Sequence, residues 1–472
     1  MNTNPNQGQL VRSLGLLSVF FLVISSVIGS GVYKKVAPMA EALQSPLLVL
    51  LAWLLAGVLT LFGTLSNAEV ASMLADSGGE FVYYKKIYNR FFAFLYGWSN
   101  FTAIRSASIA SIAYVFSQSF NSLLPLPTLS SEWSSITVFG FLTPFDNFGV
   151  KLLTIALITG LSYINYIGLK LGENVSRFIL YIVLSSLFMI IVLGFTLGHG
   201  SWSNIQTNAS GYIPHDWTDS IFIKSLFAAL LSAFWGYEGW STIGYLGGEI
   251  KNAQRNLPLA LVLGMLAVMA IYLAVNFTYL YVMPIDLLVD NQHSQNTIAA
   301  VVVVKHILGN GGGLVISFLI LITTLGCTNT TILAAPRLYY AMAKEGLFFK
   351  SAGDLNPIHN TPSKAFIYQG VVVSLLIISG SFDQLTDMLI FASFIFYGAT
   401  TLGVFILRKK MPDAPRPYKT WGYPIVPAIF IVFCVALLVI TFAAKPREAL
   451  MGLGLMLLGV PFYFYWNRKS AH

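Results

Sequence analysis

Residues 14–42, LGLLSVFFLVISSVIGSGVYKKVAPMAEA, form the first long apolar run of the chain. A helix of about 20 apolar residues crosses about 30 Å of hydrocarbon, and this run is long enough. Its middle reads Val27, Ile28, Gly29, Ser30, Gly31. Each glycine weakens a helix by about 1 kcal/mol relative to alanine. We therefore predict a transmembrane helix that is broken near its centre.

A second apolar run, near 222–247, is interrupted in the same way. Its middle reads Trp235, Gly236, Tyr237, Glu238, Gly239, Trp240, Ser241. Broken backbone is tolerated in lipid only where it lines a cavity or is packed in protein. Two such breaks facing each other would present N–H groups to a carboxylate and C=O groups to an ammonium. The alternatives are a close helix contact through small residues at the first break and an aromatic packing cluster at the second.

Composition favours lipid as the solvent for most of the chain. Of 472 residues, 56% are hydrophobic and only 10% are charged, whereas soluble domains carry about 25% charged residues. The net charge of +8 comes from short basic clusters between apolar runs, which argues against nucleic-acid binding. A cleaved signal peptide is the alternative for the first run, but its length and the many runs that follow favour a first helix.

Twelve apolar runs can be delimited along the chain. They lie near 14–42, 46–74, 91–120, 149–168, 176–198, 222–247, 258–284, 312–343, 364–381, 385–408, 422–443 and 448–467. The connection 285–311 is among the longest on its side of the membrane and could hold a short interfacial helix. The predicted fold class is an all-α integral membrane protein with twelve transmembrane helices.

The distribution of lysine and arginine predicts the orientation. Basic residues are concentrated in alternate loops, whereas residues 121–148 and 199–221 contain neither lysine nor arginine. Cytoplasmic loops are enriched in these residues, so we expect both termini to be cytoplasmic in a plasma or inner membrane.

Several ionisable residues lie within apolar runs: Glu69, Arg105, Glu238, Lys34 and Lys35. Such groups are costly in a membrane and are candidates for function. Lys34 and Lys35 follow the first break by about one helical turn, so we expect one of them to reach Glu238 and form a charge-coupling pair. The alternatives are a protonated, neutral Glu238, a purely structural ion pair and, for Lys35, snorkelling to the outer vestibule.

Five stretches resemble motifs of the amino acid–polyamine–organocation (APC) superfamily, closest to its L-type amino-acid transporter (LAT) branch. They are Ile28–Val32 (IGSGV), Glu69–Tyr84 (EVASMLADSGGEFVYY), Ile104–Phe116 (IRSASIASIAYVF), Tyr237–Leu259 (YEGWSTIGYLGGEIKNAQRNLPL) and Arg416–Pro427 (RPYKTWGYPIVP). The first alone is weak, but five in order across residues 28–427 are specific.

The resemblance implies a LeuT-like fold, with a 5+5 inverted repeat, broken helices 1 and 6, and two further helices. On this basis residues 1–12 are a cytoplasmic tail, 13–408 the transport core with repeats near 13–198 and 222–408, and 409–472 helices 11 and 12 with a short cytoplasmic end.

The same resemblance assigns roles in a substrate site to positions of this sequence. Ser30 and Gly31 would hold a substrate carboxylate. The carbonyls of Val27 and Trp235, with the backbone near Glu238, would hold its ammonium. Trp235 would also act as the aromatic gate. The predicted substrate-binding residues are Val27, Ile28, Gly29, Ser30, Gly31, Trp235, Gly236, Glu238 and Ser241.

The sequence departs from the family at three points. Val183 stands where many members have a lysine that replaces a sodium ion, and Lys34 and Lys35 stand where residues are usually uncharged. The loop 121–148 lacks the cysteine by which animal members join a glycoprotein. We therefore expect no disulfide-linked glycoprotein subunit.

These features together predict a secondary transporter of amino acids, most simply neutral L-amino acids, working by exchange or proton-linked uptake. A cationic amino acid or polyamine antiporter is the alternative, because Glu238 could meet a second positive charge. A channel or a membrane receptor would be the alternative from another class. The sequence contains no GxxxxGK, GxSxG or HExxH motif, so we expect no enzyme activity, cofactor or metal.

The predicted orientation can be tested by thiol labelling in a variant in which Cys327 and Cys434 are replaced by alanine. Single cysteines at Ser130 and Gln206 should react with an impermeant reagent in intact cells. A cysteine at Asn256 should react only after the membrane is permeabilised. The reverse pattern would refute the orientation, and labelling of all three from one side would refute the helix count.

Overall fold

The structure is a computed structural model that describes residues 14–74, 79–138, 142–167, 173–241, 243, 250–293, 298–355 and 361–470. Over these ranges the chain is mostly helical, and the only β-structure is two isolated bridges. The helices in chain order are α1 (Leu16–Val27), α2 (Gly31–Lys34), α3 (Val36–Leu43), α4 (Pro46–Met73), α5 (Glu80–Ile87), α6 (Arg90–Ser99), α7 (Arg105–Leu123), α8 (Ser131–Ser134), α9 (Phe148–Tyr166), α10 (Glu173–Thr196), α11 (Trp202–Gln206), α12 (Ser220–Gly236), α13 (Ala253–Val282), α14 (Ile285–His293), α15 (Ala299–Ala334), α16 (Pro336–Lys344), α17 (Ser363–Ser379), α18 (Phe382–Lys410), α19 (Ile425–Ala444), α20 (Pro446–Leu457) and α21 (Gly459–Ser470).

The described residues contain eight helical segments that are long and apolar enough to cross a membrane. Three shorter apolar helices, α1, α12 and α17, add to these. Helices α6 and α7 are joined by a π-helical segment, Asn100–Ile104, into one helical run from Arg90 to Leu123. Each of the twelve apolar runs in the sequence thus contains helix. The chain is a multi-pass membrane protein.

Both predicted helix breaks are present. Helix α1 ends at Val27, Ile28 has an extended ψ of 98°, and helical geometry resumes at Gly31 as α2. Helix α12 ends at Gly236. Three residues later Gly239 has a φ of +112°, a conformation that is open to glycine but strained for other residues.

The connection 285–311 contains a short helix, as predicted: α14 forms there and packs against α3. Helix α15 consists of two helices that meet at a kink at Gly309, which has a non-helical φ of 69° and ψ of −164°. The first of them, from Ala299, lies in the predicted connection. The second begins after Gly309, close to the predicted start of the eighth span near residue 312.

The helices pack in two groups around the breaks. One group contains α1, α4, α12 and α13, and the other contains α7, α9, α15 and α17. Helix α10 contacts both α13 and α15, and α18 contacts α4, α7 and α12. The breaks that follow α1 and α12 lie in the first group, which is supported by the second.

The buried carboxylate of Glu69, on α4, is held by the far end of α18. Its Oε1 and Oε2 accept hydrogen bonds from Nε and Nη2 of Arg408, at 2.9 and 2.7 Å. The backbone N–H of Thr420 donates to Oε2 at 2.6 Å, and Arg416 Nε lies 3.7 Å from Oε1. Because Glu69 is only 1% exposed, this bidentate pair compensates a carboxylate removed from water.

The Glu69–Arg408 pair should be important for stability. Removing one member of a buried pair costs about 3–5 kcal/mol, so Glu69→Gln should lower the apparent melting temperature of the purified protein by several degrees. Lys85→Met is the matched control, because the Lys85–Glu345 pair is exposed and such pairs are worth about 1 kcal/mol or less. Equal melting temperatures for the two variants would contradict the role of Glu69.

Candidate functional site

The two helix breaks are in direct contact through glycines. A Cβ atom added to Gly31 would lie 2.6 Å from Cα of Gly236 and 3.3 Å from Cδ1 of Trp235. Both distances are shorter than ordinary van der Waals contact, so the start of α2 and the end of α12 meet closely only because Gly31 has no side chain.

A second glycine, Gly239, allows another close contact between the two broken helices. A Cβ atom at Gly239 would overlap the carbonyl oxygen of Ser26 in α1. The turn after α12 therefore lies against the last turn of α1, and its positive φ agrees with the glycine at this position. Two unwound segments from distant parts of the sequence thus lie side by side.

The hydroxyl of Tyr272, in α13, links the ends of the two broken helices. It lies 3.1 Å from the carbonyl oxygen of Val27 and 2.8 Å from that of Gly236, and it is placed to donate to either. A further hydrogen bond joins it to the backbone of Gly29. These carbonyls end α1 and α12, where intrahelical N–H donors run out, so one side chain serves both orphan ends.

Tyr272 is itself fixed by an aromatic cluster. Its ring lies edge-on to Trp53 with centroids 5.5 Å apart, and 5.2 Å from the ring of Tyr237. The Tyr237 hydroxyl donates to the carbonyl of Trp53 at 3.1 Å. A Cβ atom at Gly236 would lie 2.8 Å from the Trp53 ring, so the cluster packs directly on the break.

Two polar atoms at the breaks are buried and have no hydrogen-bond partner among the described residues. They are the hydroxyl of Ser30 and Nε1 of Trp235. Ser30 is 1% exposed. Buried polar atoms are normally satisfied, so these two are candidates for contact with a small polar ligand.

A cavity of about 540 Å³, here called the vestibule, lies near Trp235. The vestibule is lined by α3, by the chain around Gly211–His215 and by the start of α18, and it reaches Ser232, about one turn before Trp235 in α12. The Trp235 ring packs edge-on against Phe382 of α18, with centroids 6.1 Å apart. This position suits a gate, although the predicted gating role remains a prediction.

The predicted pair between a lysine of helix 1 and Glu238 is not formed in this structure. Lys35 Nζ lies 2.7 Å from Oδ1 of Asp383 and donates to the Thr386 hydroxyl at 2.8 Å. Lys34 Nζ donates to Oε1 of Gln118 at 2.7 Å. The acceptor of the Lys34 ammonium group thus lies on α7, and those of the Lys35 ammonium group lie on α18.

Both ammonium groups also lie over the same ring. Lys34 and Lys35 Nζ are 4.3 and 4.8 Å from the centroid of Phe382, the ring that packs against Trp235. Cation–π contacts of this kind are worth more in a desolvated site than in water. The two lysines therefore fix the aromatic neighbour of Trp235.

Glu238 is held by α18. Both of its carboxylate oxygens lie within hydrogen-bond distance of the Tyr397 hydroxyl, at 2.7 and 2.8 Å. The guanidinium of Arg105 acts on Glu238 electrostatically, and it acts in the same way on Glu80 at the start of α5. Arg105 directly follows the π-helical segment, so a widened turn precedes it.

Glu80 completes this polar cluster. It is 1% exposed and accepts a hydrogen bond from the Tyr96 hydroxyl, and a further hydrogen bond joins it to Ser241. The predicted site residue Ser241 is thus buried and hydrogen-bonded to Glu80.

Two other predicted positions have defined surroundings. Val183 is buried in α10, and its carbonyl accepts a hydrogen bond from Ser186, whose hydroxyl is 2.6 Å from that of Tyr33. Neutral groups thus connect helix 1 with α10 here. The Trp235 carbonyl accepts the N–H of Glu238 at 3.3 Å. The α12 carbonyl that shares Tyr272 with Val27 is instead that of Gly236.

Sequence reasoning missed Tyr272, Tyr397 and Glu80. The tyrosines lie in apolar runs rich in aromatic residues, where a packing role is the ordinary interpretation. Glu80 lies in a quoted motif, but it follows an apolar run and was not counted as buried. The two buried tyrosine hydroxyls meet the two glycine-containing breaks only in the tertiary structure, so no local sequence pattern indicates these contacts.

The sequence is similar to known transport proteins over nearly its whole length. The sequence model of a family described as "Amino acid permease" matches residues 14–458. The serine/threonine exchanger SteT of Bacillus subtilis (strain 168) is 29% identical over 474 residues, which cover all of both chains.

Two human proteins are also similar over nearly the whole chain. The b(0,+)-type amino acid transporter 1 is 29% identical over 98% of this chain and 89% of its own length. The cystine/glutamate transporter is 27% identical over 98% of this chain and 87% of its own length.

The contact between the breaks leads to a direct prediction. Gly31→Val should abolish amino-acid uptake into liposomes, because its Cβ would collide with Gly236 and force the two half-helices apart. Gly160→Val in α9 is the control, since a Cβ there meets nothing within 4 Å. Both variants should be checked for monodispersity by size-exclusion chromatography. Uptake at the wild-type rate by Gly31→Val would show that the close contact is not required.

Proposed function

The chain belongs to the amino acid permease family, and from that premise we propose that it exchanges neutral L-amino acids across the membrane by alternating access. The observation that carries this proposal is the contact between the two helix breaks at Gly31 and Gly236. A zwitterion needs donors for its carboxylate and acceptors for its ammonium at one place. Paired helix breaks in lipid supply both from the backbone.

In the proposed site the substrate carboxylate binds at the start of α2, to the Ser30 hydroxyl and the backbone of Gly31. The buried, unpartnered Ser30 hydroxyl supports this assignment. The ammonium binds at the carbonyl ends of α1 and α12, where Val27 and Gly236 present oxygens. Ile28, Gly29, Trp235, Glu238 and Ser241 complete the proposed surroundings.

We propose the LeuT-like arrangement for the whole chain, with inverted repeats near 13–198 and 222–408 and two further helices. The five-span separation of the two breaks supports this topology. In this arrangement the vestibule opens to the outside, both termini are cytoplasmic, and Trp235 closes over the bound substrate. The loop 121–148 contains no cysteine, which supports function without a disulfide-linked glycoprotein subunit.

A neutral substrate is favoured over a cationic one by the charges near the break. Glu238 is the carboxylate that could accept a second ammonium, but its oxygens already accept from Tyr397 and it interacts with Arg105. Lys34 and Lys35 bring further positive charge to the Trp235 side. The name of the relative SteT, a serine/threonine exchanger, supports exchange of small neutral substrates.

The proposal can be tested with purified protein in liposomes preloaded with each of the twenty amino acids in turn. Uptake of labelled L-serine, L-leucine and L-arginine would be measured. We expect saturable uptake that internal neutral amino acids accelerate and internal arginine does not. Stimulation by arginine that Glu238→Gln abolishes would support the cationic alternative. Non-saturable flux without stimulation would indicate a channel, and binding without flux a receptor.

The proposed gate gives a second prediction. Trp235→Ala should reduce exchange at least tenfold while the protein remains folded, because the small side chain leaves the site open to the vestibule. Trp133→Ala is the matched control, since that indole is 56% exposed and lies outside the helix breaks. Normal exchange by Trp235→Ala in liposomes would exclude a gating role.

A further inference from the structure

Two acidic side chains from distant parts of the sequence meet next to the second break. Glu80, at the start of α5, is 1% exposed, and Glu238, in the turn after α12, is partly accessible. Each accepts a hydrogen bond from a tyrosine hydroxyl, Glu80 from Tyr96 and Glu238 from Tyr397. The two carboxylates also act on each other electrostatically, so Glu80 and Glu238 are here called the acid pair.

The groups that face the acid pair come from several helices. Arg105, at the start of α7, acts electrostatically on both carboxylates. Tyr96 of α6 and Tyr397 of α18 are neutral hydrogen-bond donors. Tyr84 and Tyr88 lie one and two turns beyond Glu80, and they donate to backbone carbonyls of α18. Arg105 is thus the cation that these contacts bring to the acid pair.

The acid pair carries more negative charge than Arg105 compensates. With both acids ionised, two carboxylates face one guanidinium, and one negative charge is in excess. Three other interior cations, Lys35, Arg408 and Lys445, have carboxylate partners of their own. An excess charge removed from water is costly, and two carboxylates that share a site ordinarily hold one proton between them.

We propose that Glu80 and Glu238 form a proton-binding site, and that amino-acid exchange requires the state in which they share one proton. The inference rests on the proposed function, since exchange is the activity that the proton controls. In this state one carboxyl group is neutral and the other is balanced by Arg105. The proton enters and leaves through Glu238, the partly accessible member of the acid pair.

The proton acts on the second break because the acid pair holds the segment 238–241 at both ends. Glu238 begins this segment, and Ser241, which bonds with Glu80, ends it. When the proton leaves, the two like charges repel each other. The segment is then pushed away from Glu80 at one end and bonded to it at the other. This distorts the turn at Gly239, where the segment packs against α1.

Exchange of labelled L-serine would be measured in liposomes with equal pH on both sides, from acidic to alkaline pH. In the wild type we expect full exchange at acidic pH and, once the proton is lost, a fall of about tenfold per pH unit, as for one essential proton. Glu80→Gln leaves a single carboxylate opposite Arg105. Its exchange should therefore vary little with pH and should exceed that of the wild type at alkaline pH.

Glu345→Gln is the matched control. It makes the same substitution at a carboxylate that pairs with Lys85 at the surface. Its pH profile should follow the wild type, and it also reports any effect of titrating the serine itself. A wild-type exchange rate that does not vary with pH, or the same slope in Glu80→Gln as in the wild type, would overturn the inference.

Infrared difference spectroscopy detects the proton without transport. The wild type should show the C=O stretching band of a protonated carboxyl group that disappears at alkaline pH, and both Glu80→Gln and Glu238→Gln should lack it. Persistence of the band in these variants would also overturn the inference. If Glu80→Gln is not monodisperse, the spectrum of Glu238→Gln decides. If the wild type exchanges no amino acid, the proposed function fails instead, and the infrared titration still decides whether the acid pair holds a proton.

Discussion

The structure depends on one constraint: a helix broken in lipid must have its free backbone groups satisfied by protein or ligand. Here the breaks after α1 and α12 are placed against each other, with Gly31 on Gly236 and Gly239 on Ser26. Tyr272 then bridges the two carbonyl ends. Any side chain at these glycines would separate the breaks, and the orphan groups would have no common partner.

The charged groups are arranged around this neutral centre. Lys35 pairs with Asp383, Lys445 hydrogen-bonds with Asp387, and Glu69 pairs with Arg408. All three pairs include a residue of α18, which also supplies Tyr397 to Glu238. Residues of α18 thus supply the partners of Lys35, Lys445, Glu69 and Glu238. The contact between the breaks is left to hydroxyl and backbone groups, which suits a substrate that brings both charges itself.

Much of the fold could be predicted because its signals are local. A run of about 20 apolar residues, a glycine pair within it and the alternation of basic loops need no knowledge of neighbours. The two breaks are such signals, and both are present. The kink within α15 has the same origin, because the glycine-rich stretch GNGGG weakens the helix and its first residue, Gly309, is non-helical.

The sequence alone determined that the chain spans a membrane, where its helices lie and which residues interrupt them, because hydrophobic length and backbone propensity are properties of short segments. Only the tertiary structure decided which side chains meet. By sequence, Lys35 could equally well reach Glu238 or Asp383, which is 348 residues away. In the folded chain it lies against α18 and bonds to Asp383 and Thr386. Tyr272 likewise gained its role from the distance between two carbonyls, which no local pattern encodes.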